Sequence, residues 1–278
     1  MRTLRAKRRV LVEVRGCEVP VDRLPSALIG LRIGHITDLH FCHWTRLIAE
    51  LQEILLSLEL DVLAVTGDFV GIRSRWSRAA AVSRRFFRPI AERVPTYAIL
   101  GNHDHPQLAD LTSPPLTFLR NDYVHVEHGG HGLILAGIEQ LDRGRGNLAA
   151  ALPLDREGMP VVLLAHFPST VYKLPAGQVD LMLAGHTHGG QIRLPGIGCL
   201  WPNDCIPRSL AHGLHRVEGT WLHVSSGVGV SPPVQTRMNC APEVCVLTLQ
   251  QVADSPIDRR VHSLPRSRPT AKLPPINI

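Results

Sequence analysis

The stretch Tyr97-Ala98-Ile99-Leu100-Gly101-Asn102-His103-Asp104 is a short apolar run that stops at a glycine and a polar cluster. The same design occurs at residues 31–40 and 61–68 earlier in the chain, and at residues 161–166 and 181–188 later. Apolar runs of this length between loops are typical of strands that are covered on both faces. Five such runs indicate an α/β fold built on buried sheet.

Helices and further strands are predicted around these runs. Apolar residues recur at helical spacing in residues 44–58 and 76–93, which predicts two helices. Additional strands are expected at residues 10–14, 133–138, 220–225 and 244–249. Residues 254–278 are rich in Pro, Ser and Arg and predict a loose surface tail. Residues 1–253 are therefore expected to form a single domain, in which residues 1–30 supply an N-terminal extension or edge strand.

The composition fits a globular protein with an anionic partner. Of 278 residues, 44% are hydrophobic and 19% are charged, and the formal net charge is +6. This balance suits an anionic partner, which could be a phosphorylated substrate, an anionic membrane or a nucleic acid, and the charge does not choose among them. A nucleic-acid partner is not expected, because only 5% of residues are aromatic and no aromatic-and-basic module is visible.

Cysteine usage and hydropathy bear on the compartment. The six cysteines are dispersed and are interpreted as reduced thiols. No apolar run approaches the roughly 18 residues of a membrane span. The protein is therefore expected to be cytoplasmic, with peripheral contact at an anionic inner membrane face as an alternative. The oligomeric state is left open.

Side chains with metal-ligand chemistry follow each of the five runs. They are Asp38, His40, Asp68, Asn102, His166, His186 and His188. Ligands bind beyond the carboxyl ends of strands in open α/β sheets, so these side chains are expected to converge at one edge. Seven ligands exceed the needs of one tetrahedral zinc and fit two cations that share a carboxylate. The mixture of carboxylate, amide and imidazole favours Mn²⁺, with Fe or Zn²⁺ as alternatives.

These clusters resemble the motifs of a known family. In order, Asp38-Leu39-His40, Gly67-Asp68, Gly101-Asn102-His103-Asp104, His166 and Gly185-His186-Thr187-His188 are similar to the five motifs of the calcineurin-like metallophosphoesterases. The resemblance implies an α/β (α+β) fold, a four-layer αββα sandwich with two mixed β-sheets. It also implies an enzyme that hydrolyses phosphoric ester or acid anhydride bonds with two divalent metal ions.

The same resemblance implies a role for each residue. The first metal would be bound by Asp38, His40 and His188, the second by Asn102, His166 and His186, and both by Asp68. His103 would contact the substrate phosphate and protonate the leaving oxygen. Asp104 would orient His103, and Asn102 would also contact the substrate. Arg193, just past the last motif, is a further candidate for substrate binding.

The chain after the last motif is similar to one branch of that family. Residues 185–195, GHTHGGQIRLP, and residues 239–244, NCAPEV, resemble bacterial phosphodiesterases that include UDP-2,3-diacylglucosamine pyrophosphatase of lipid A synthesis. The expected substrate is a phosphodiester or pyrophosphate, including a nucleotide-linked lipid. Ile197, Leu200 and Trp201 are expected either to form an apolar wall for an acyl chain or to belong to the core.

Several alternatives stay open. A phosphomonoesterase or protein phosphatase is disfavoured because Arg193 is the one extra basic residue beside the motifs. A non-catalytic interaction scaffold would be expected to lose ligands, and the motifs here are intact. Histidines among the glycines of residues 125–132 predict a surface turn rather than a third metal site, and Cys42 is interpreted as a bystander thiol. The arginines of residues 73–88 predict a solvated helix face, with binding to anionic lipid as the alternative.

Overall fold

Two six-stranded β-sheets form the centre of the protein. The computed structural model describes residues 11–71, 74–113, 115–140, 144–232 and 235–252. The first sheet has the order β1 (Glu13–Val21), β14 (Glu243–Gln251), β2 (Arg32–Ile36), β3 (Val62–Val65), β4 (Thr96–Ala98) and β5 (Thr117–Phe118). The second has the order β12 (Gly213–Val217), β13 (Thr220–Val224), β9 (Leu181–Ala184), β8 (Val161–Leu164), β7 (His131–Gly137) and β6 (Asp122–His128).

Both sheets are mixed, with parallel strands at the centre. In the first sheet, β2, β3, β4 and β5 run parallel, and β14 pairs antiparallel with β2. In the second sheet, β7, β8, β9 and β13 run parallel, and β6 and β12 are antiparallel edge strands. The central parallel strands of each sheet therefore end at a common edge, where their following loops can meet.

Helices and turns cover the outer faces of the sheets. The helices are α1 (Arg46–Ser57), α2 (Trp76–Ala91), α3 (Gln107–Thr112) and α4 (Leu148–Ala151), and short 3₁₀ turns lie at Ser26–Leu28, Pro168–Lys173, His188–Gly190 and Arg208–Leu210. A two-stranded hairpin is formed by β10 (Arg193–Leu194) and β11 (Gly198–Cys199). The fold is the predicted four-layer sandwich, and its fourth layer consists of α4 and 3₁₀ turns rather than long helices.

Three apolar clusters hold the layers together. One packs α1, α2 and α3 on the first sheet, and includes Leu51, Phe86 and Leu108. The second lies between the sheets, and includes Ile33 and Leu183. The third lies under α4 and the turns on the second sheet. Burial of this apolar surface is the main favourable term for folding.

The predicted helices and most predicted strands agree with the observed elements to within a few residues. The strand expected at residues 10–14 differs, because β1 begins at Glu13 and extends to Val21, where it pairs parallel with β14. Its first five residues are exposed or half-buried, so the apolar alternation that signals a strand is weak. The predicted tail at residues 254–278 lies outside the described residues.

The histidine-rich region around residue 128 forms the hairpin of β6 and β7. Gly129 and Gly130 have positive φ values of 58° and 79°, as a two-residue hairpin turn requires. His128 pairs with His131 across the turn, and its Nδ1 lies 3.3 Å from Asp61 Oδ1. This region is a turn, as predicted. None of the described helices combines the length and apolarity that crossing a bilayer requires.

Candidate metal centre

Loops from both sheets bring the predicted ligands together at one edge of the sandwich. The ligands follow β2 (Asp38, His40), β3 (Asp68), β4 (Asn102), β8 (His166) and β9 (His186, His188). Backbone hydrogen bonds tie the loop after β2 to the loop after β13 of the second sheet: the Gly229 N–H donates to the Asp38 carbonyl at 2.6 Å, and the Val228 N–H to the Thr37 carbonyl at 3.2 Å. Residues up to 150 positions apart in sequence therefore share one pocket.

Asp38, His40 and His188 form the first ligand cluster. His40 Nε2 lies 3.2 Å from His188 Nε2, and His188 Nε2 lies 3.4 Å from Asp38 Oδ1. Ligand atoms about 2.1 Å from one cation are separated by roughly 3.0–3.4 Å at tetrahedral or octahedral angles. The three side chains are buried and their ligand atoms lie within 4.8 Å of one another. Their spacing fits one divalent cation.

Asn102, His166 and His186 form the second ligand cluster. Asn102 Oδ1 lies 2.9 Å from His166 Nε2 and 2.9 Å from His186 Nδ1. One amide oxygen is thus approached by two imidazole nitrogens that come from different loops. The cluster repeats the spacing of the first and offers a second cation site.

Asp68 lies between the two clusters. Its Oδ2 is 3.7 Å from His40 Nε2 in the first cluster and 3.4 Å from His166 Nε2 in the second. Its Oδ1 accepts a hydrogen bond from the His103 N–H at 2.9 Å. This is the position that a bridging carboxylate would need, because one oxygen faces both sets of nitrogens.

The tautomers of the histidines test whether the pocket suits cations. His40 Nδ1 and His166 Nδ1 donate to the carbonyls of Val70 and Thr66, at 3.1 and 2.7 Å. His186 Nε2 donates to the Asn203 carbonyl at 2.8 Å. The other nitrogen of each ring faces further acceptor atoms, so it is the nitrogen that would bind a shared cation. The donor set therefore fits two metals.

Buried carboxylates point to the same conclusion. Asp38 is fully buried, and its Oδ1 has no hydrogen-bond partner among the described residues. Burial raises the pKa of Asp38, and the nearby charge of Asp68 adds to this effect. Burial opposes ionisation of Asp68 too, but the charge and hydrogen bond of His166 hold its pKa well below the usual range. An ionised, unpartnered carboxylate oxygen in a closed pocket is costly unless a cation balances it.

The imidazoles differ in how they hold a proton. Burial lowers the pKa of His186 to about 3, and His166 nearby lowers it further. Burial and the neighbouring His40 also hold the pKa of His188 well below its usual value. Burial would lower the pKa of His166, but Asp68 and Asp38 raise it to about 10. His186 and His188 are thus neutral, which is the form that binds metal. His166 differs from them because the negative charges of Asp68 and Asp38 act on it.

The backbone is strained where it presents the ligands. Five ligands have positive φ values between 45° and 66°: Asp38, His40, Asp68, His186 and His188. Such values are uncommon for residues other than glycine and cluster at functional sites. Gly101 and Gly185 allow the loops to approach, since a Cβ at Gly101 would overlap the Asp68 carboxylate and a Cβ at Gly185 would lie 2.5 Å from Asp38 Oδ2. The glycines of the motifs are therefore required by packing.

His103 lies at the mouth of the pocket. Its side chain is 33% exposed, whereas those of His40, His166 and His188 are 1–4% exposed. Its Nε2 lies 4.0 Å from Asp68 Oδ2. This imidazole is the one of the motif histidines that a substrate could reach without displacing a ligand.

Asp104 fixes the loop that carries His103. Its carboxylate accepts hydrogen bonds from the N–H groups of Phe69, Val70 and Gly101, at 2.9, 3.0 and 2.8 Å. Burial, with Asp68 nearby, raises the pKa of Asp104 to about 7. Asp104 therefore acts on the position of His103 through the backbone, by joining the loops after β3 and β4.

Arg193 lies in β10, and its guanidinium donates to the Gly189 carbonyl at 3.1 Å. It braces the turn that follows His188. Its predicted contact with the substrate stays a prediction.

Arg237 is a site residue that the sequence analysis missed. Its guanidinium donates to the carbonyls of Gly229 and Ser226, at 2.9 and 2.8 Å, and lies 3.5 Å from His188 Nδ1. Cys240 Sγ donates to the His188 carbonyl at 3.2 Å. Arg237 thus clamps the 226–229 loop against Asp38 and His188. One feature of the sequence could have indicated Arg237: it lies two residues before the NCAPEV segment.

Replacement of Arg237 by alanine is expected to weaken metal binding at the first cluster by about 10–100-fold, the range seen when residues that orient ligands are removed. Titration calorimetry with Mn²⁺ measures the two sites separately. Arg156→Ala is the matched control, since Arg156 pairs with Asp180 at 3.0 Å, at the other end of β8 and β9. Equal metal affinities for Arg237→Ala and wild type would show that the clamp does not position His188.

Comparison with known proteins finds phosphoesterases. The family model for calcineurin-like phosphoesterases matches residues 31–190. Phosphodiesterase YaeI of Escherichia coli (strain K12) is 30% identical over 228 residues, which cover 78% of this chain and 82% of that protein. The uncharacterized metallophosphoesterase YkuE of Bacillus subtilis (strain 168) is 26% identical over 255 residues, 86% of each chain. The matched range contains all seven predicted ligands and His103.

Proposed function

The chain belongs to the calcineurin-like phosphoesterase family and is a metal-dependent phosphoesterase, and from this we propose that it hydrolyses phosphodiester or pyrophosphate bonds at a two-metal centre. The first metal would be held by Asp38, His40 and His188, the second by Asn102, His166 and His186, and both by Asp68. Mn²⁺ is the proposed metal, with Fe or Zn²⁺ as alternatives, because the donor set mixes oxygen with imidazole. When bound, the cations neutralise the phosphoryl charge and activate water as the nucleophile.

The chain itself supplies the groups for the leaving oxygen. His103 stands at the mouth of the pocket and is proposed to bind the phosphate and to donate a proton to the leaving oxygen. The Asp68 carboxylate accepts a hydrogen bond from the backbone N–H of His103, and Asp104 anchors the loop that carries His103. A positioned imidazole of this kind contributes typically about 10²–10⁴-fold in rate.

Two cavities border the first ligand cluster, and their space favours a diester over a monoester. One cavity of about 310 Å³ is lined by His188, Gln191 and Trp201. Another of about 250 Å³ is lined by His40, Leu47 and Val228. A phosphodiester or a substituted pyrophosphate carries a group on each side of the reacting phosphorus, whereas a monoester carries one. This pair of cavities is the observation that carries the proposal.

The lining of the larger cavity supports an apolar substituent, including the acyl chains of a nucleotide-linked lipid such as UDP-2,3-diacylglucosamine. Leu200 and Trp201 are 36% and 73% exposed. They therefore do not belong to the core, which was one of the two alternatives expected for them. Ile192 and Pro232 extend this lining, and Asn203 adds a polar group close to His186. Apolar walls with a few fixed polar groups are typical of small-molecule sites.

Assays with small chromogenic esters test the proposal. Protein stripped with chelator and reloaded with Mn²⁺ is expected to hydrolyse bis-p-nitrophenyl phosphate with a kcat/KM at least about tenfold higher than that for p-nitrophenyl phosphate, because the diester uses both cavities and each tenfold corresponds to about 1.4 kcal/mol. The stripped protein should be inactive. A preference for the monoester would contradict the proposal and favour a phosphomonoesterase or protein phosphatase.

A further inference from the structure

Exposed apolar side chains are concentrated beside the metal centre. Among the described residues, eight large hydrophobic side chains are exposed, and four of them lie on or directly beside the β10–β11 hairpin: Ile197, Leu200, Trp201 and Met238. Met238 joins the hairpin through its carbonyl, which accepts from the Arg193 N–H at 3.0 Å. Contiguous exposed apolar patches mark interaction surfaces, whereas single exposed residues are ordinary. We call these four residues the apolar rim.

The apolar rim has a convex tip. Ile197 lies in the turn between β10 and β11, flanked by Gly196 and Gly198, and is 63% exposed. Its N–H donates to the Leu194 carbonyl at 3.2 Å, which closes the turn and holds the side chain outward. A short, hydrogen-bonded turn with an aliphatic residue at its apex is a wedge rather than a groove. A tip of this shape suits insertion into a deformable surface.

The charge around the apolar rim is positive. Arg193 and Arg208 lie within residues 190–212, where Asp204 is the one acidic residue. The Asp204 carboxylate accepts from the N–H groups of Ser169 and Cys205, at 2.8 and 2.6 Å, so it is engaged within the protein. Residues 229–242 contain no acidic residue. An aromatic and aliphatic surface flanked by arginines matches the interface of an anionic bilayer.

We propose that the apolar rim, led by Ile197 and flanked by Arg193 and Arg208, docks this protein on an anionic phospholipid surface. Because Leu200 and Trp201 also line the cavity at His188, docking places this cavity at the lipid interface. Docking is independent of the proposed reaction, since a small soluble ester would reach the centre without it.

The basic face of α2 is the competing surface. Arg78, Arg84, Arg85 and Arg88 lie opposite the buried face of α2. Arg85 packs over the Trp44 ring at 4.1 Å, and Arg88 pairs with Glu92. This face has charge without an apolar tip, since Trp76 at its start stacks on His105. Anchoring needs apolar insertion as well as charge, so the apolar rim is the better fit.

Co-sedimentation of the full chain with vesicles tests the proposal. Wild-type protein is expected to pellet with vesicles of equal parts phosphatidylcholine and phosphatidylglycerol, and much less with phosphatidylcholine alone. Ile197→Asp is expected to lower the apparent vesicle affinity at least about tenfold, because it places a carboxylate at the inserting tip. Ile197 is not among the residues that line the cavity at His188, so turnover of bis-p-nitrophenyl phosphate by Ile197→Asp should equal that of wild type, which separates docking from catalysis.

Matched controls make the result decisive. Leu154→Asp introduces the same charge at an exposed leucine before β8, on the far edge of the sandwich, and should pellet like wild type. Unchanged binding of Ile197→Asp, or loss of binding with Arg84→Gln/Arg88→Gln alone, would overturn the proposal. So would a wild-type dimer in light scattering that Ile197→Asp converts to a monomer without any vesicle binding, since the apolar rim would then be a protein interface.

Discussion

Replacement of Asp68 by asparagine is expected to lower kcat/KM for bis-p-nitrophenyl phosphate by at least about 10³-fold. Asparagine preserves the shape of the side chain and the acceptor for the His103 N–H. It removes the negative charge that lies within 3.7 Å of His40 and 3.4 Å of His166. The two ligand clusters would then lack the carboxylate proposed to hold both cations.

Metal content provides a readout apart from activity. Asp68→Asn is expected to retain fewer than two equivalents of Mn²⁺ after gel filtration, with an unchanged circular dichroism spectrum. Asp61→Asn is the matched control, because Asp61 accepts from the Arg32 N–H at 2.7 Å at the opposite end of β3. Two retained equivalents together with wild-type turnover in Asp68→Asn would show that Asp68 does not bridge.

Replacement of His103 by alanine is expected to lower turnover of an alkyl phosphodiester by about 10²–10⁴-fold while both metals stay bound. Its side chain is the exposed imidazole at the mouth, and its backbone N–H, which holds Asp68, survives the substitution. The loss should be small for p-nitrophenyl esters, because p-nitrophenoxide leaves without needing a proton. This dependence on the leaving group identifies an acid rather than a ligand.

The neighbouring His105 supplies the control for this experiment. It lies in the same loop and stacks on Trp76 at 5.7 Å between ring centroids, so His105→Ala should keep the turnover of both esters near that of wild type. If His103→Ala slowed both esters equally, or lost a metal equivalent, the assignment of His103 as the proton donor would be wrong.

Strands and helices could be predicted where burial leaves a periodic pattern. All residues of β3, β8 and β9 are buried, and their uninterrupted apolar runs allowed these strands to be predicted from the sequence. Most of β1 is exposed along one sheet edge, and β6 alternates polar residues with few buried ones. Such segments become strands because they pair with a neighbouring strand, and the hydropathy of the segment itself carries little information about that pairing.

Site residues could be predicted from the sequence where their chemistry depends on the identity of the side chain. Asp, Asn and His after glycine at strand ends are recognisable because metal binding requires those side chains. The carbonyls of Thr66, Val70 and Asn203, which set the histidine tautomers, leave no such mark, because any residue supplies a carbonyl. Arg237 escaped notice because its partners are also carbonyls.

The sequence by itself determined the strand-and-loop order, the family and the chemical types of the ligands, because local hydropathy and side-chain identity encode these directly. The tertiary structure alone decided which nitrogen of each histidine faces the pocket, how far Asp68 lies from each of the two clusters, and that Ile197 and Trp201 project outward rather than into the core. These depend on distances between segments more than a hundred residues apart. Such distances are set by how two sheets pack, and no single stretch of chain contains them.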